Sequence, residues 1–223
     1  MFVADCDTSE NATDLVILDW SGGRNNLYPD DEFAGLDFSS FETLDGGTLA
    51  DAALAFKDAV RDEVVRILCD LPFVSVVVQN DKAQINSVAT TIYIVQASSR
   101  RGGGQIGEGE YDPCNLRRDN SALVFGDELL NFPDLYSFEE WVLIFANVAA
   151  HEIGHTLGFG HVPRSQNSEA EHALYVELML AGHTIDEMVR HQRFLSDDTN
   201  CPEEAARARL HMNPPTIACG LTE

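Results

Sequence analysis

Apolar and polar positions along this chain fall into blocks whose period changes. Residues 1 to 13, among them Ala4-Asp5-Cys6-Asp7-Thr8-Ser9-Glu10, are polar and acidic and predict a loose arm. Leu15-Val16-Ile17-Leu18 is a short run of buried-strand type, broken off by Gly22, Gly23, Asn25, Asn26 and Pro29. From Asp30 to Gly47 no period stands out, and a surface-running segment is expected. The period then becomes helical: Leu49, Ala52, Ala53, Phe56, Val60, Val64, Ile67, Leu68 and Leu71 form one apolar stripe. Thr48 with Asp51 resembles a capping box at its start, and Pro72 ends it.

Phe73-Val74-Ser75-Val76-Val77-Val78 and Ala89-Thr90-Thr91-Ile92-Tyr93-Ile94-Val95 are rich in β-branched residues and predict strands. The stretch from Arg100 to Asn120, with Gly102, Gly103, Gly104, Gly107, Gly109 and Pro113, predicts a loop. Leu123-Val124-Phe125 after it predicts a short strand near a sheet edge. A second long helix is expected over about Phe138 to Leu157. Ser137 and Glu140 form a capping box at its start, Trp141, Ile144, Phe145 and Val148 give its apolar stripe, and Gly158 is a natural stop.

Composition narrows the function classes. The 223 residues are 44% hydrophobic and 9% aromatic, enough for one folded domain with a sizeable core. No apolar run approaches the ~18 residues of a membrane-spanning helix. Lys+Arg is 14 against Asp+Glu 37, a formal net charge of −23. Such a surface repels phosphate backbones and anionic lipid, so neither nucleic acid nor membrane is an expected partner. Only Lys57 and Lys82 are lysines. An acidic, lysine-poor surface suits a secreted or salt-exposed protein, or simply a soluble one. Cys6, Cys69, Cys114, Cys201 and Cys219 form no CxxC, which excludes a zinc ribbon or a thioredoxin-like motif. Two disulfides with a spare thiol, Cys201 with Cys219 as the first pair, and reduced buried cysteines both fit. The chain opens without the basic and apolar regions of a signal peptide, so any such segment is expected to have been removed or left out.

The chemistry concentrates in His151-Glu152-Ile153-Gly154-His155-Thr156-Leu157-Gly158-Phe159-Gly160-His161. Imidazoles at i and i+4 leave one helical face a turn apart, a separation that one tetrahedral zinc ion can span. Glu152 leans toward the same metal position, where a carboxylate takes a proton from zinc-bound water without ligating the metal. Continuing the helix would point residue 161 elsewhere, and a turn at Gly158 brings His161 back. Three neutral imidazoles leave the fourth position for water, the arrangement of a catalytic zinc. At this composition the full spacing arises by chance in roughly 4 of 100,000 such chains.

HEIGHTLGFGH matches the HExxHxxGxxH signature of the metzincin zinc endopeptidases, and the chain resembles that family. The resemblance implies His151, His155 and His161 as zinc ligands and Glu152 as general base, in a zinc endopeptidase acting on protein or peptide substrates. It also implies a methionine in a tight turn beneath the metal. Met179, in Glu177-Leu178-Met179-Leu180-Ala181-Gly182, stands 18 residues after His161, while its competitor Met188 lies in a segment that reads as helix. The implied fold is α+β: a twisted, mostly parallel sheet with a long backing helix and an active-site helix. The upper subdomain would cover about 14–161. A lower subdomain over about 162–223 would end in a helix, here Ile185 to Phe194, so that 14–223 is a single catalytic domain. His183, four past Met179, falls where matrixin-like enzymes place a residue of the specificity-pocket wall. Val162-Pro163-Arg164 after the third histidine departs from the matrixin, adamalysin and astacin patterns, and Ala181 replaces the tyrosine of astacin-like and serralysin-like enzymes. No propeptide cysteine switch is present, and matrixin-like or pappalysin-like is the nearest description.

Weaker signals complete the reading. In the glycine-rich loop, Glu108, Glu110, Asp112, Asn115, Asp119 and Asn120 are candidate ligands for a structural calcium ion, against a plain flexible loop. Gly102-Gly103-Gly104 lacks the spacing of a phosphate loop. A strand bordering the cleft would bind an extended peptide by β-augmentation. His172, His191 and His211 have no ligand-like spacing. A monomer is expected. Two rival readings stay open: a zinc-containing domain that binds peptides or matrix without cleaving them, and a zinc amidohydrolase acting on a small substrate.

Overall fold

Why the sheet forms where it does follows from its β-branched runs. A computed structural model describes residues 14–68, 74–79, 89–96, 105–112, 117, 119–132, 134–161, 176–179, 183–190 and 192–193. The acidic arm and all five cysteines lie outside these residues. In chain order the strands are β1 (Asp14–Asp19), β2 (Gly22–Gly23), β3 (Phe33–Gly35), β4 (Val74–Gln79), β5 (Thr90–Gln96), β6 (Gly107–Gly109) and β7 (Ser121–Phe125). Strands β4, β1, β5 and β7 lie side by side in parallel. β3 joins β5 and β2 antiparallel, and β6 joins β7 antiparallel. The class is α+β with a mixed sheet, and the parallel arrangement is confined to the four central strands.

Alternation along the strands feeds two cores. Val16, Leu18, Ile92, Ile94, Ala122 and Val124 turn toward the helices, while Val95, Leu123 and Phe125 meet Phe33 on the opposite face. Covering both faces is what lets parallel strands read as continuous apolar runs. Leu123-Val124-Phe125 is near a sheet edge, as expected, but one strand in from it. Every residue of β7 is buried, and the strand lies between β5 and β6. The edge is β6, inside the stretch expected to be loop.

Helices pack on one face of the sheet. A 3-10 turn over Leu49–Ala52, with Thr48 N donating to Asp51 Oδ2 (3.1 Å), leads into α1 (Ala53–Ile67). The one-turn α2 (Gly126–Leu129) follows β7, and α3 (Phe138–Thr156) packs against α1. Ser137 caps α3 reciprocally with Glu140: Glu140 N donates to Ser137 Oγ (3.2 Å) and Ser137 N to Glu140 Oε2 (2.8 Å). The segment from Asp30 to Gly47 departs from expectation. Phe33, Leu36, Phe38 and Phe41 are all buried. Phe41 and Phe56 meet Phe145 edge-on, with ring centroids 5.5 and 5.4 Å away. Its apolar residues are irregularly spaced because the chain there runs through a short strand and a 3-10 turn.

The lower part departs as well. The expected helix from Ile185 to Phe194 is a single turn, α4 (Ile185–Met188). Gln192–Arg193 is a strand, β9, parallel to β8 (Val176–Glu177). Side-chain amides capture the carbonyls that would propagate the helix: Asn147 Nδ2 donates to Met188 O and Arg190 O, and Gln192 Nε2 to Glu187 O.

Candidate metal centre

The end of α3 is built to bring a third imidazole back to the first two. Phe159 N donates to Gly154 O (2.9 Å) and Gly158 N to His155 O (3.0 Å), with Gly158 at φ +93°. This is a Schellman ending, which needs a residue free to adopt the left-handed conformation. The turn reverses the chain so that His161 meets His151 and His155. A Gly158→Ala variant should lose about 1–2 kcal/mol of stability from that conformation alone. It should also bind zinc more weakly, because His161 hangs on the turn. Thermal unfolding of the metal-free protein and a zinc competition titration check both effects.

Backbone carbonyls fix the tautomers. His151 Nδ1 lies 2.7 Å from Leu178 O and His155 Nδ1 lies 2.9 Å from Phe159 O. A carbonyl only accepts, so each Nδ1 carries the hydrogen and each Nε2 presents a lone pair. His151 Nε2 is 3.2 Å and His155 Nε2 3.1 Å from His161 Nε2. At most one proton, on His161, is available for these two contacts, whereas a cation at the centre satisfies all three nitrogens. Tetrahedral zinc with bonds near 2.05 Å places its ligand nitrogens about 3.3 Å apart. The residues therefore fit the ion. Burial, reinforced by His155, pushes the His151 pKa down to about 3, and burial also lowers His155 and His161. All three stay neutral at pH 7, as ligands must. They are the one group of three or more converging metal-ligand side chains among the described residues.

Glu152 is buried beside them, and its Oε2 has no hydrogen-bond partner among the described residues. Burial first, and the nearby Glu108 carboxylate second, raise its pKa to about 8. A cation among the histidines favours the ionised form and draws that value down. Glu152, His151 and His161 open onto a cleft of about 290 Å³ whose walls include Gly107 of β6, His183 and Met188.

The other expected residues are placed as follows. Met179 is buried in a turn with Leu178, the residue whose carbonyl holds His151. Met188 closes α4 and borders the cleft. His183 is half-buried on the cleft wall, its ring centroid 5.6 Å from that of His151. The calcium candidates meet protein donors. Glu108 accepts from Tyr28 Oη (2.5 Å), Glu110 from Arg117 and Ser121 N, and Asp112 from Arg117 N (2.8 Å) and Asn120 Nδ2 (3.2 Å). Asn115 lies outside the described residues. Asn120 Nδ2 also donates to Thr156 O (3.1 Å), fastening this loop to the end of α3.

Three residues escaped the sequence reading. Gly107 and Gly109 lie where β6 crosses Glu152, and glycines two apart in a strand signal a close approach on one face. Asn147, in the apolar run before His151, reaches across to the segment after Met179. No family model matches this chain, and none of the curated proteins matches it in sequence.

Proposed function

We propose that this chain is a zinc-dependent endopeptidase of metzincin type, matrixin-like or pappalysin-like, that works outside the cell. The observation that carries the proposal is the convergence of three imidazoles at zinc-ligand spacing, two of them with their tautomers fixed by backbone carbonyls, beside a buried carboxylate whose Oε2 has no partner among the described residues. His151, His155 and His161 would hold the ion, which supplies Lewis acidity toward a peptide carbonyl and acidifies water. Glu152 Oε2 is the proton acceptor for the attacking water, and the same carboxyl delivers that proton to the leaving amine nitrogen. Among the described residues β6 has β7 as its only strand partner, leaving an edge at the cleft along which an extended peptide can hydrogen-bond. An edge of that kind, with His161 exposed at the mouth, favours a polymeric substrate over a small amide. The acidic, lysine-poor surface supports secretion and steers cationic substrates toward the protein.

Elemental analysis paired with digestion of a mixed peptide library tests this. One zinc per chain is expected, with cleavage that stops on chelation and returns when zinc is restored. A protein without zinc, or cleavage that survives chelation, overturns the proposal. Zinc without cleavage leaves a binding domain in its place.

A further inference from the structure

One wall of the cleft rests on a segment with little to hold it in place by itself. Within residues 183–190 the only regular structure is α4, capped by Thr184, whose N and Oγ donate to Glu187 Oε2 (2.6 and 3.0 Å). His183 and Met188 of this segment border the cleft. A lone helical turn has no cooperative stability of its own, so its position is set by what it is fastened to. Asn147 supplies that fastening from α3, one turn before His151 on the same helical face. Its Nδ2 donates to Met188 O (2.7 Å) and to Arg190 O (2.8 Å), and the residue is 1% exposed.

The amide orientation is determined, since two carbonyl acceptors can be met only by the NH₂ end. Asn147 Oδ1 is thereby left buried without a partner among the described residues. A leucine here would extend the apolar stripe of α3 and avoid burying that oxygen, but the carbonyls of Met188 and Arg190 would lose the donor that Asn147 gives them. The amide is thus an unfavourable choice for packing α3 and a favourable one for fixing the segment opposite it. Its neighbour Val148 borders the same cleft as Met188, whose buried side chain joins the core that α3 packs into, so the amide adds direction to a contact that is otherwise apolar.

We propose that Asn147 is a positioning residue that sets the width of the cleft beside the histidines, and so determines which substrate side chain next to the scissile bond is accepted. The selectivity part rests on the peptidase reading; the anchoring part does not. The test compares wild type with N147L, of the same branched shape but without donors, and N147S, which keeps one donor. Three quantities are read: amide hydrogen exchange across residues 183–193, zinc affinity, and kcat/KM on peptides that differ only in Ala, Leu or Phe beside the scissile bond.

In N147L, exchange in 183–190 should quicken at least about tenfold while α3 stays protected. Zinc affinity should be unchanged, and the Phe-to-Ala ratio of kcat/KM should move by about tenfold. N147S should fall between N147L and wild type, and it is judged by the same criteria if N147L does not fold. Unchanged exchange in 183–190, or faster exchange with unchanged selectivity, overturns the proposal. Joint loss of zinc and of α3 protection also overturns it, by making Asn147 an ordinary core residue. A wild-type protein that binds zinc and cleaves nothing sinks the peptidase reading and the selectivity claim together, while the exchange result still decides the anchoring.

Discussion

E152Q should keep its zinc, lose peptide hydrolysis by about a thousandfold, and become the more stable protein once the metal is removed at high pH. The first two effects follow from position. Glu152 follows a ligand without being one, so an amide of the same shape leaves the three imidazoles in place and removes only the proton acceptor. The stability effect follows from burial. In the metal-free protein the Glu152 pKa is raised from the ordinary 4.5 to about 8, so the folded state holds this proton more tightly than the unfolded chain does. The contribution to stability is therefore complete below about pH 4.5 and declines as pH rises toward 8; beyond that the protein carries a buried carboxylate whose Oε2 has no partner among the described residues. Glutamine has no such dependence. The two proteins should unfold alike near pH 4, and at pH 9 the variant should be ahead by on the order of 5 kcal/mol. With zinc bound the gap should narrow, because the cation favours the ionised carboxylate. Calorimetry of both proteins with and without metal at the two pH values checks the stability effect, elemental analysis checks the zinc, and single-turnover peptide cleavage checks the loss of hydrolysis. Near-normal turnover by E152Q would mean that the base is a different group. A destabilised E152Q at pH 9 would mean that Glu152 has a partner in solution.

The candidate metal centre was legible because two of its histidines sit on one long helix with local signals at both ends, and the third follows the turn that stops it. Ser137 and Glu140 mark its start, Gly158 marks its stop, and the i, i+4 histidines need only helical geometry to meet. Elements held by distant partners were not legible. Phe33, Phe38 and Phe41 lie in a stretch without a period; Phe38 and Phe41 are buried because Trp20, Phe56, Trp141 and Phe145 gather there from other parts of the chain, and Phe33 because Val95, Leu123 and Phe125 meet it on the opposite face of the sheet. Strand β6 is too short and glycine-rich to have a pattern of its own, and it is a strand only because β7 offers Leu123 and its neighbours as partners. Helix α4 stops after one turn because amides from Asn147 and Gln192 take its carbonyls. A propensity-based reading extends it to Phe194 because the bonds from Asn147, distant in sequence, leave no trace in the local sequence.

The two glycines of β6 should separate catalysis from stability. A Cβ added at Gly107 would overlap Glu152 Oε1 and lie 2.9 Å from both Cδ and Cγ of that side chain. These are the mobile end of a flexible residue, so the clash is relieved by moving the carboxylate and leaving β6 where it is. A Cβ at Gly109 would instead meet Glu152 O at 2.8 Å and His155 Cβ at 2.9 Å, atoms set by the backbone of α3. There the strand and the helix have to part. G107A should therefore fold with a stability within about 1 kcal/mol of wild type and bind zinc normally. Its kcat should fall about a hundredfold, as expected when a proton acceptor is displaced by an ångström or so. G109A should lose about 1–3 kcal/mol of stability, as overpacked sites do, and its zinc affinity should fall because His155 is pushed. Chemical denaturation, zinc titration and the split between kcat and KM distinguish the two. If G107A showed a stability loss equal to that of G109A, or kept its kcat, then β6 is not what holds Glu152 in place. The absence of side chains at residues 107 and 109 would then reflect only the packing of a strand over a helix.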